Sequence, residues 1–287
     1  MADEPNTMSR REFTALSIAA GVAVATGASG AAPAQMIDTD VQVTTAAGVC
    51  DAALIHPQKG TWPGVILFTD AFGLRPTIRD MAKRLAADGF TVLVPNPFYR
   101  SSKPPGLPVD FDFNNPVDRA KLNELRAPLT SDAVMQDAAA YVKYLDSQAV
   151  VNQSAKMGVF GYCMGGPMTM QAAAANPDRI GAGASFHGGG VVTDKPDSPH
   201  LLIPKMRAQY YFGIAMNDDQ RQPDAKTKLD EAFKSAKLQA KIAVYDGCLH
   251  GWCVKDMPKA DGKPIYNEAQ AERAWGELVS LFKRAHV

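Results

Sequence analysis

The sequence has no excess of charge of either sign, because its 30 lysine and arginine residues balance its 30 aspartates and glutamates. Proteins that attract nucleic acid or an anionic membrane surface through their overall field carry an excess of basic residues. The aromatic residues are also spread along the chain rather than interleaved with basic clusters. Together these absences argue against a nucleic-acid partner.

Cysteine is scarce, with four residues among 287. Four scattered cysteines do not make the disulfide scaffold of a small secreted protein, and no Cys-x-x-Cys pair is present to support thiol redox chemistry. Cys248, His250 and Cys253 lie close together in sequence, but the second Cys/His pair of an ordinary zinc site is missing. We therefore expect no metal and no cofactor. Cys50, Cys248 and Cys253 are expected to be buried thiols, or to include one disulfide.

The apolar stretch near the N-terminus, residues 14–26, is too short for a membrane-spanning helix, which needs about 20 apolar residues. Arg10 and Arg11 precede it, and an Ala-Pro-Ala run at 32–34 has the small-x-small form of a cleavage site. Paired arginines before a weakly apolar segment are typical of a twin-arginine export signal. We expect residues 1–34 to engage the twin-arginine export machinery and the mature protein to reach the bacterial periplasm. A retained anchor and a cytosolic protein with an unusual leader are the alternatives.

Residues 35–287 have the pattern of one α/β domain. The chain is 46% hydrophobic and 21% charged, which is ordinary for a globular protein. Short apolar runs alternate with amphipathic stretches, as expected for a parallel sheet covered by helices, and Gly48 predicts a hairpin between the first two runs. The predicted strands are 41–45, 51–56, 65–68, 91–94, 157–160, 182–186, 209–214 and 241–245, and the predicted helices are 77–87, 131–146, 168–176, 225–236 and 267–284.

Residues 96–130 interrupt this alternation. The segment contains six prolines together with glycine and scattered aromatic residues. Such a composition favours a long loop or a lid over the site rather than a linker between domains. For the quaternary structure we expect a monomer or a weak dimer.

The most informative motif is Gly-Tyr-Cys-Met-Gly at residues 161–165, where an apolar strand passes into a helix of small residues. Gly-x-Cys-x-Gly at this junction has the form of a nucleophile elbow with cysteine in the place of the usual serine. Gly161 and Gly165 lack a Cβ, so the chain can make the tight turn that exposes Cys163 in a strained conformation. The dipole of the following helix favours a thiolate over a thiol.

A cysteine nucleophile needs a base for its proton and an acid that orients the base. In α/β hydrolases the acid follows a late strand and the histidine follows the last one. His250 lies in a glycine-rich loop after the last predicted strand, and it is one of only five histidines. Asp218 and Asp219 both follow the strand predicted at 209–214, and position alone leaves the choice between them open.

The motifs at 161–165, Ala-Met-Asn-Asp at 215–218 and His-Gly-Trp at 250–252 together resemble the dienelactone hydrolase family of α/β hydrolases. The likeness extends to Thr-Asp-Ala-Phe-Gly-Leu at 69–74 and to Phe-His-Gly-Gly at 186–189. It therefore covers nearly the whole chain after residue 34, in order. The resemblance implies an α/β-hydrolase fold, with a mostly parallel central sheet and helices on both faces.

The resemblance also implies site residues. It favours Asp218 over Asp219 as the acid, because the family has its acid directly after the Asn of the Ala-x-Asn-Asp run. Asp70 matches the position of a family glutamate that binds the resting cysteine, so it either gates the nucleophile or caps its loop. The loop after the first buried strand supplies an oxyanion N–H from Ala71, and the second N–H comes from Met164.

Family members that act on lactone carboxylates hold the free carboxylate with arginines. Arg100, which follows a strand, is the first candidate for this role, and Lys255 is the cation nearest to the position of a second arginine, where this chain has Val254. Trp252, in the His-Gly-Trp motif, is a further candidate for substrate binding. His187 is interpreted as a structural residue or part of the pocket wall.

These observations predict a cysteine-nucleophile hydrolase of small esters or lactones, with a reaction of the carboxymethylenebutenolidase type. Two other hypotheses remain: an exported ligand-binding protein that keeps the fold without catalysis, and a thiol redox protein. A binding protein needs neither His250 nor Asp218, and a redox protein needs the missing Cys-x-x-Cys pair. The acid–base pair therefore separates the hypotheses.

Overall fold

An eight-stranded β-sheet organises the part of the chain described by the computed structural model, residues 35–108 and 111–287. The export signal predicted at 1–34 lies outside the described residues. The strands are β1 (Met36–Thr45), β2 (Gly48–Pro57), β3 (Gly64–Phe68), β4 (Thr91–Pro95), β5 (Met157–Tyr162), β6 (Ile180–Phe186), β7 (Gln209–Ala215) and β8 (Ala240–Tyr245). The helices are α1 (Pro76–Ala87), α2 (Pro116–Arg126), α3 (Ser131–Asp146), α4 (Gly165–Ala175), α5 (Met216–Arg221), α6 (Ala225–Ser235) and α7 (Glu268–Arg284), with a 3₁₀ segment at Pro199–Lys205.

The strand order is β1-β2-β4-β3-β5-β6-β7-β8. The pairs β1–β2 and β2–β4 are antiparallel, and the remaining strands pair in parallel. The predicted hairpin is confirmed, because Thr45 pairs with Gly48, whose φ of +131° is a conformation that glycine adopts without steric cost. The carboxyl ends of β3, β5, β6, β7 and β8 therefore meet at one edge of the sheet, where open α/β sheets bind ligands.

Side chains of the central strands alternate between two hydrophobic cores, one on each face of the sheet. In β3, Ile66 and Phe68 enter one core, while Val65 and Leu67 enter the other. Helices α2, α3, α4 and α6 contribute to the first core, and α1 and α7 contribute to the second. Because both faces are covered, the central parallel strands β3 and β5 are buried and apolar along their whole length. The predicted α/β-hydrolase architecture, with helices on both faces, is confirmed.

The segment 96–130 differs from its prediction as a long loop, because it contains helix α2. Pro116 occupies the first turn, where its missing N–H costs nothing, and the Asn115 side chain accepts a hydrogen bond from the N–H of Val117. Leu122 and Leu125 on this helix are buried. The proline that suggested a loop is thus a helix-start signal.

Two further details concern the helices. Helix α3 begins where the sequence predicts, and Thr130 caps it, since its hydroxyl oxygen accepts a hydrogen bond from the N–H of Ala133. The residues after β7 form the short helix α5, where the sequence suggested a loop. None of the helices in the described ranges is both long and apolar enough to cross a membrane.

The four cysteines are free thiols. Of the two outcomes left open for Cys50, Cys248 and Cys253, the structure has buried thiols rather than a disulfide. Burial raises the pKa of Cys50 to about 12, although a hydrogen bond with the Tyr141 hydroxyl opposes the rise. Burial also raises the pKa values of Cys248 and Cys253. These three thiols therefore stay protonated and poorly reactive at neutral pH.

Close packing of α4 on the sheet depends on the glycines that flank Cys163. A Cβ on Gly161 would lie 2.5 Å from the carbonyl oxygen of Gly165. A Cβ on Gly165 would lie 2.4 Å from the carbonyl oxygen of Phe68 in the neighbouring strand. Both obstacles are backbone atoms, which cannot rotate away as a side chain can.

We expect Gly165→Ala to lower the free energy of unfolding by at least about 1–3 kcal/mol, because the added methyl group overpacks the β3–α4 contact. Gly276→Ala is the matched control: a Cβ there meets nothing within 4 Å, and the residue lies inside helix α7. That substitution should stabilise the protein by about 0.5–1 kcal/mol. Urea denaturation followed by circular dichroism measures both, and a Gly165→Ala midpoint at or above wild type would contradict the packing argument.

Candidate functional site

Cys163 lies on the turn between β5 and α4, at the carboxyl edge of the parallel strands. Its φ is +51°, in the left-handed region that non-glycine residues rarely adopt. Its N–H donates to the carbonyl of Phe186 at 3.1 Å, and its carbonyl accepts from the N–H of Gly166 at 3.0 Å. The side chain is partly exposed, whereas the other three cysteines are buried. The structure thus has the strained elbow predicted from the Gly-x-Cys-x-Gly motif.

His250 lies in the loop after β8 and is held at two points by α5. Its backbone N–H donates to the side-chain oxygen of Asn217 at 2.9 Å. Its Nδ1 lies 2.7 Å from Oδ2 of Asp218. The loop is joined to the start of α5 a third time, because the N–H of Met216 donates to the carbonyl of Cys248. This clamp fixes the ring and directs Nε2 away from Asp218.

The two candidate acids have different partners. Asp218 contacts His250 and, at 3.3 Å, the guanidinium of Arg221. Asp219 instead receives hydrogen bonds from Lys226 Nζ at 2.6 and 2.7 Å. The ambiguity that the sequence left open is therefore resolved by geometry in favour of Asp218 as the partner of His250.

Three donor atoms meet at the elbow. Cys163 Sγ, one ring nitrogen of His250 and one ring nitrogen of His187 all lie within 4.8 Å of one another. Burial disfavours the charged imidazole of His250, but hydrogen bonds with Asp218 and Cys163 outweigh burial and raise the pKa of His250 to about 10. An imidazolium beside the sulfur stabilises a negative charge there. Cys163 and His250 can therefore exchange a proton, while Asp218 binds the imidazole at Nδ1.

His187 follows β6 and packs beside His250, with ring centroids 4.7 Å apart. It is fully buried and has a φ of +39°. Burial, together with the neighbouring His250, holds the pKa of His187 well below its usual range, so this imidazole is neutral. His187 is buried beside His250 and is not among the residues that line the cleft at Cys163, so of the two interpretations from the sequence the structure favours a structural residue over the pocket wall.

Two backbone N–H groups are available near the sulfur. Ala71 lines the same cleft as Cys163 and His250, and Met164 directly precedes α4. Neither N–H is a donor in any hydrogen bond of residues 35–108 and 111–287. Both groups are therefore free to bind an oxygen at the positions that the sequence suggested for an oxyanion hole.

Asp70 is a correction to the gating role considered above. Both of its oxygens accept hydrogen bonds from Arg75, at 2.6 and 2.9 Å, and one also accepts from the N–H of Phe72. Arg75 is bound in turn by Asp256. Since both carboxylate oxygens of Asp70 are already hydrogen-bonded in this network, Asp70 caps its own loop rather than holding the Cys163 thiol.

The substrate-binding candidates from the sequence lie away from the cleft. Arg100 forms a paired ion contact with Asp137, at 2.7 and 2.9 Å, and stacks over Tyr99. Trp252 is fully buried and stacks on the ring of Tyr245. Lys255 lines a separate cavity on the α1–α7 face of the sheet. Each makes a structural contact or lines another cavity, and none of the three is among the residues that line the cleft of Cys163.

A cleft of about 580 Å³ opens above Cys163 and His250. Three rings at its mouth, Phe72, Phe111 and Phe113, meet edge to face with centroids 4.8–6.0 Å apart. The cations of this cleft are Arg221 and Lys259, which no motif of the sequence singled out. The remaining lining residues are Asp70, Ala71, Asp112, Asn114, Met257, Pro258 and Ile265. Part of the segment 96–130 thus does border the site.

The contact between Asp218 and His250 generates a titration prediction. Asp218→Asn removes the carboxylate that raises the pKa of His250, while burial still disfavours the imidazolium, so the pKa should fall from about 10 towards 6.5. Asp219→Asn, which removes the partner of Lys226 instead, should leave the pKa of His250 unchanged. NMR titration of the imidazole resonances measures both, with the His250 signal assigned by its loss in His250→Gln. Identical titrations in the two Asn variants would contradict the assigned contact.

Known proteins resemble this chain in sequence and in fold. The model of the dienelactone hydrolase family matches residues 50–286. A "putative carboxymethylenebutenolidase" of Methylorubrum extorquens is 26% identical, covering 97% of this chain and 94% of its own.

Two solved structures share the fold. The "putative dienelactone hydrolase" of Klebsiella pneumoniae is 22% identical with a TM-score of 0.73, covering 87% of this chain and 99% of its own. An acylaminoacyl peptidase of Pyrococcus horikoshii has a TM-score of 0.62 at 14% identity, covering 88% of this chain and 42% of its own. Because the family model spans most of the sequence, the chain belongs to the dienelactone hydrolase family and is a hydrolase with the α/β-hydrolase fold.

Proposed function

We propose that this protein hydrolyses small esters or lactones through a covalent thioester on Cys163. The observation that carries the proposal is the set of contacts among Cys163, His250 and Asp218. Asp218 binds Nδ1 of His250, and a ring nitrogen of His250 lies within 4.8 Å of Cys163 Sγ. Relatives named carboxymethylenebutenolidase support a lactone as the substrate. A lactone and an ester differ only in whether the leaving oxygen stays attached to the acyl group.

The proposed first step is attack of the Cys163 thiolate on the substrate carbonyl carbon. The carbonyl oxygen becomes negative and is bound by the N–H groups of Ala71 and Met164. As the tetrahedral intermediate collapses, the C–O bond to the alcohol breaks and His250 gives its proton to the leaving oxygen. A thioester remains, and His250 is neutral.

In the second step, His250 takes a proton from a water molecule as that water attacks the thioester carbonyl. Collapse of this intermediate releases the carboxylic acid and returns the sulfur as a thiolate beside the imidazolium. Asp218 keeps one tautomer and one orientation of His250 throughout. The proton balance closes without any metal or cofactor.

The lining of the cleft bears on the substrate class. The rings of Phe72, Phe111 and Phe113 provide an apolar surface, and Arg221 and Lys259 provide positive charge at its rim. This combination suits a small ester or lactone with an apolar body and an anionic group. In this proposal Arg221 and Lys259 take the part that the sequence suggested for Arg100 and Lys255.

Turnover of p-nitrophenyl acetate tests the mechanism. Cys163→Ala removes the nucleophile and His250→Ala removes the base, so each should lower kcat/KM by at least about 10³-fold. Cys248→Ala is the matched control, because this buried thiol lies outside the cleft, and its rate should stay within about twofold of wild type. Wild-type rates in both Cys163→Ala and His250→Ala would overturn the proposal and favour a ligand-binding protein.

We also propose that residues 1–34 direct export by the twin-arginine route, with the mature enzyme in the periplasm. The support is Arg10-Arg11 before a weakly apolar segment. A double variant, Arg10→Lys with Arg11→Lys, should leave an uncleaved and active precursor in the cytoplasm, because this route exports folded proteins. Cell fractionation with an esterase assay measures the distribution, and unchanged periplasmic activity would rule out the assignment.

A further inference from the structure

The imidazole of His187 is fully buried, and neither of its ring nitrogens has a hydrogen-bond partner among residues 35–108 and 111–287. Buried side-chain nitrogens are nearly always hydrogen-bonded, so each exception needs a physical explanation. Its ring neighbours are His250, at 4.7 Å between centroids, Trp252, at 5.5 Å, and Tyr162, at 5.8 Å. The indole N–H of Trp252 is also without a partner. None of the ring contacts satisfies the two nitrogens.

Other atoms that can bind a metal lie near the ring nitrogens of His187. One of these nitrogens belongs to the group in which Cys163 Sγ, a His250 nitrogen and a His187 nitrogen lie within 4.8 Å of one another. The proposed hydrolysis uses the sulfur and His250 but gives His187 no task. The cluster therefore holds one more metal-type donor than the reaction needs.

We infer that Cys163, His187 and His250 form a site for a soft divalent transition metal ion, with Zn²⁺ as the best match, and that the bound ion inhibits the enzyme. The inhibitory effect rests on the proposed function, whereas the binding of the ion does not. The ion would take the nucleophile and the base at the same time. Hydrolysis would then resume only when the ion leaves.

The donor set decides the class of metal. A thiolate sulfur and imidazole nitrogens suit zinc and copper, while calcium and magnesium require oxygen ligands. Three protein ligands leave the fourth tetrahedral position of zinc to water. With metal–ligand bonds of about 2.0–2.3 Å, the donors must approach one another to about 3.3–3.6 Å, so the loops that carry the histidines close slightly around the ion.

The residues behind the donors also fit a metal centre. Asp218 already binds Nδ1 of His250, which leaves Nε2 for the metal and reproduces the carboxylate–histidine–metal arrangement of zinc proteins. Cys163 and His250 are partly exposed to the cleft, so an ion can enter from that side and meet His187 behind them. Zinc binds thiolate and neutral imidazole, so its entry releases to solvent the proton that the Cys163–His250 pair holds.

The binding experiment uses the purified full chain, titrated with Co²⁺ as a spectroscopic substitute for Zn²⁺. We expect one equivalent of Co²⁺ to give the thiolate-to-cobalt absorption of a Cys-ligated site, and Zn²⁺ to displace it. In parallel, micromolar Zn²⁺ should inhibit p-nitrophenyl acetate hydrolysis, and EDTA should restore the rate. A full chain that gives no thiolate-to-cobalt absorption would overturn the inference.

The deciding variant is His187→Asn, because asparagine tolerates the left-handed φ of this position but removes the ligand. Its inhibition by Zn²⁺, expressed relative to its own uninhibited rate, should require at least about 10–100-fold more zinc than wild type. His56→Asn is the control, since His56 lies outside the cleft and binds the carbonyl of Pro57. It should change neither the rate nor the zinc dependence.

Two further outcomes keep the inference separate from the proposed function. An inactive wild type that still gives the cobalt absorption would overturn the hydrolase but support the metal site. An active wild type whose zinc dependence is unchanged by His187→Asn would overturn the three-ligand site and leave the hydrolase standing. If His187→Asn does not fold by circular dichroism, His187→Gln replaces it in the same assay.

Discussion

The left-handed backbone of Cys163 is the constraint on which the rest of the site depends. A φ of +51° costs a non-glycine residue about 1–2 kcal/mol, and it persists only where the surroundings enforce it. Here the hydrogen bonds of the Cys163 backbone with Phe186 and Gly166 hold the conformation. The flanking glycines permit it, because side chains at Gly161 or Gly165 would collide with backbone carbonyls of the helix or of β3. The sulfur therefore stands at the carboxyl edge of the sheet, where four other strands deliver the remaining groups of the site.

Two histidines lie side by side at this edge in opposite electrostatic situations. Both are disfavoured as cations by burial, but His250 has the Asp218 carboxylate on Nδ1, and its pKa rises to about 10. The ring of His187 has no hydrogen-bond partner in the part of the chain that the structure describes, and burial holds its pKa well below the usual range. The difference between the two histidines thus comes largely from the Asp218 carboxylate. His250 can carry a proton, whereas His187 is a neutral imidazole of the kind that binds metals.

The fold and the central motifs could be predicted because they are encoded locally. Apolar runs of the right length predict the buried strands, and Gly-x-Cys-x-Gly predicts the elbow. Position alone could not decide between Asp218 and Asp219, and only the family resemblance favoured Asp218, because the choice depends on how α5 turns Asp218 towards His250. The same limit explains Arg100 and Asp70, whose partners Asp137 and Arg75 are contacts that only the folded chain defines.

How tightly each arginine is paired with an acid decides whether its charge is available to a substrate. Arg100 is bound on both terminal nitrogens by the buried Asp137, so moving its charge towards a substrate would leave that carboxylate unpaired at a high cost. Arg221 is well exposed, and among the described residues its contact to an acid is the 3.3 Å approach to Asp218. A guanidinium so weakly held can turn to an anionic group in the cleft without breaking a buried ion pair. If the proposed function is right, Arg221 is therefore a better candidate than Arg100 for binding a substrate anion, because it is the more loosely paired of the two cations.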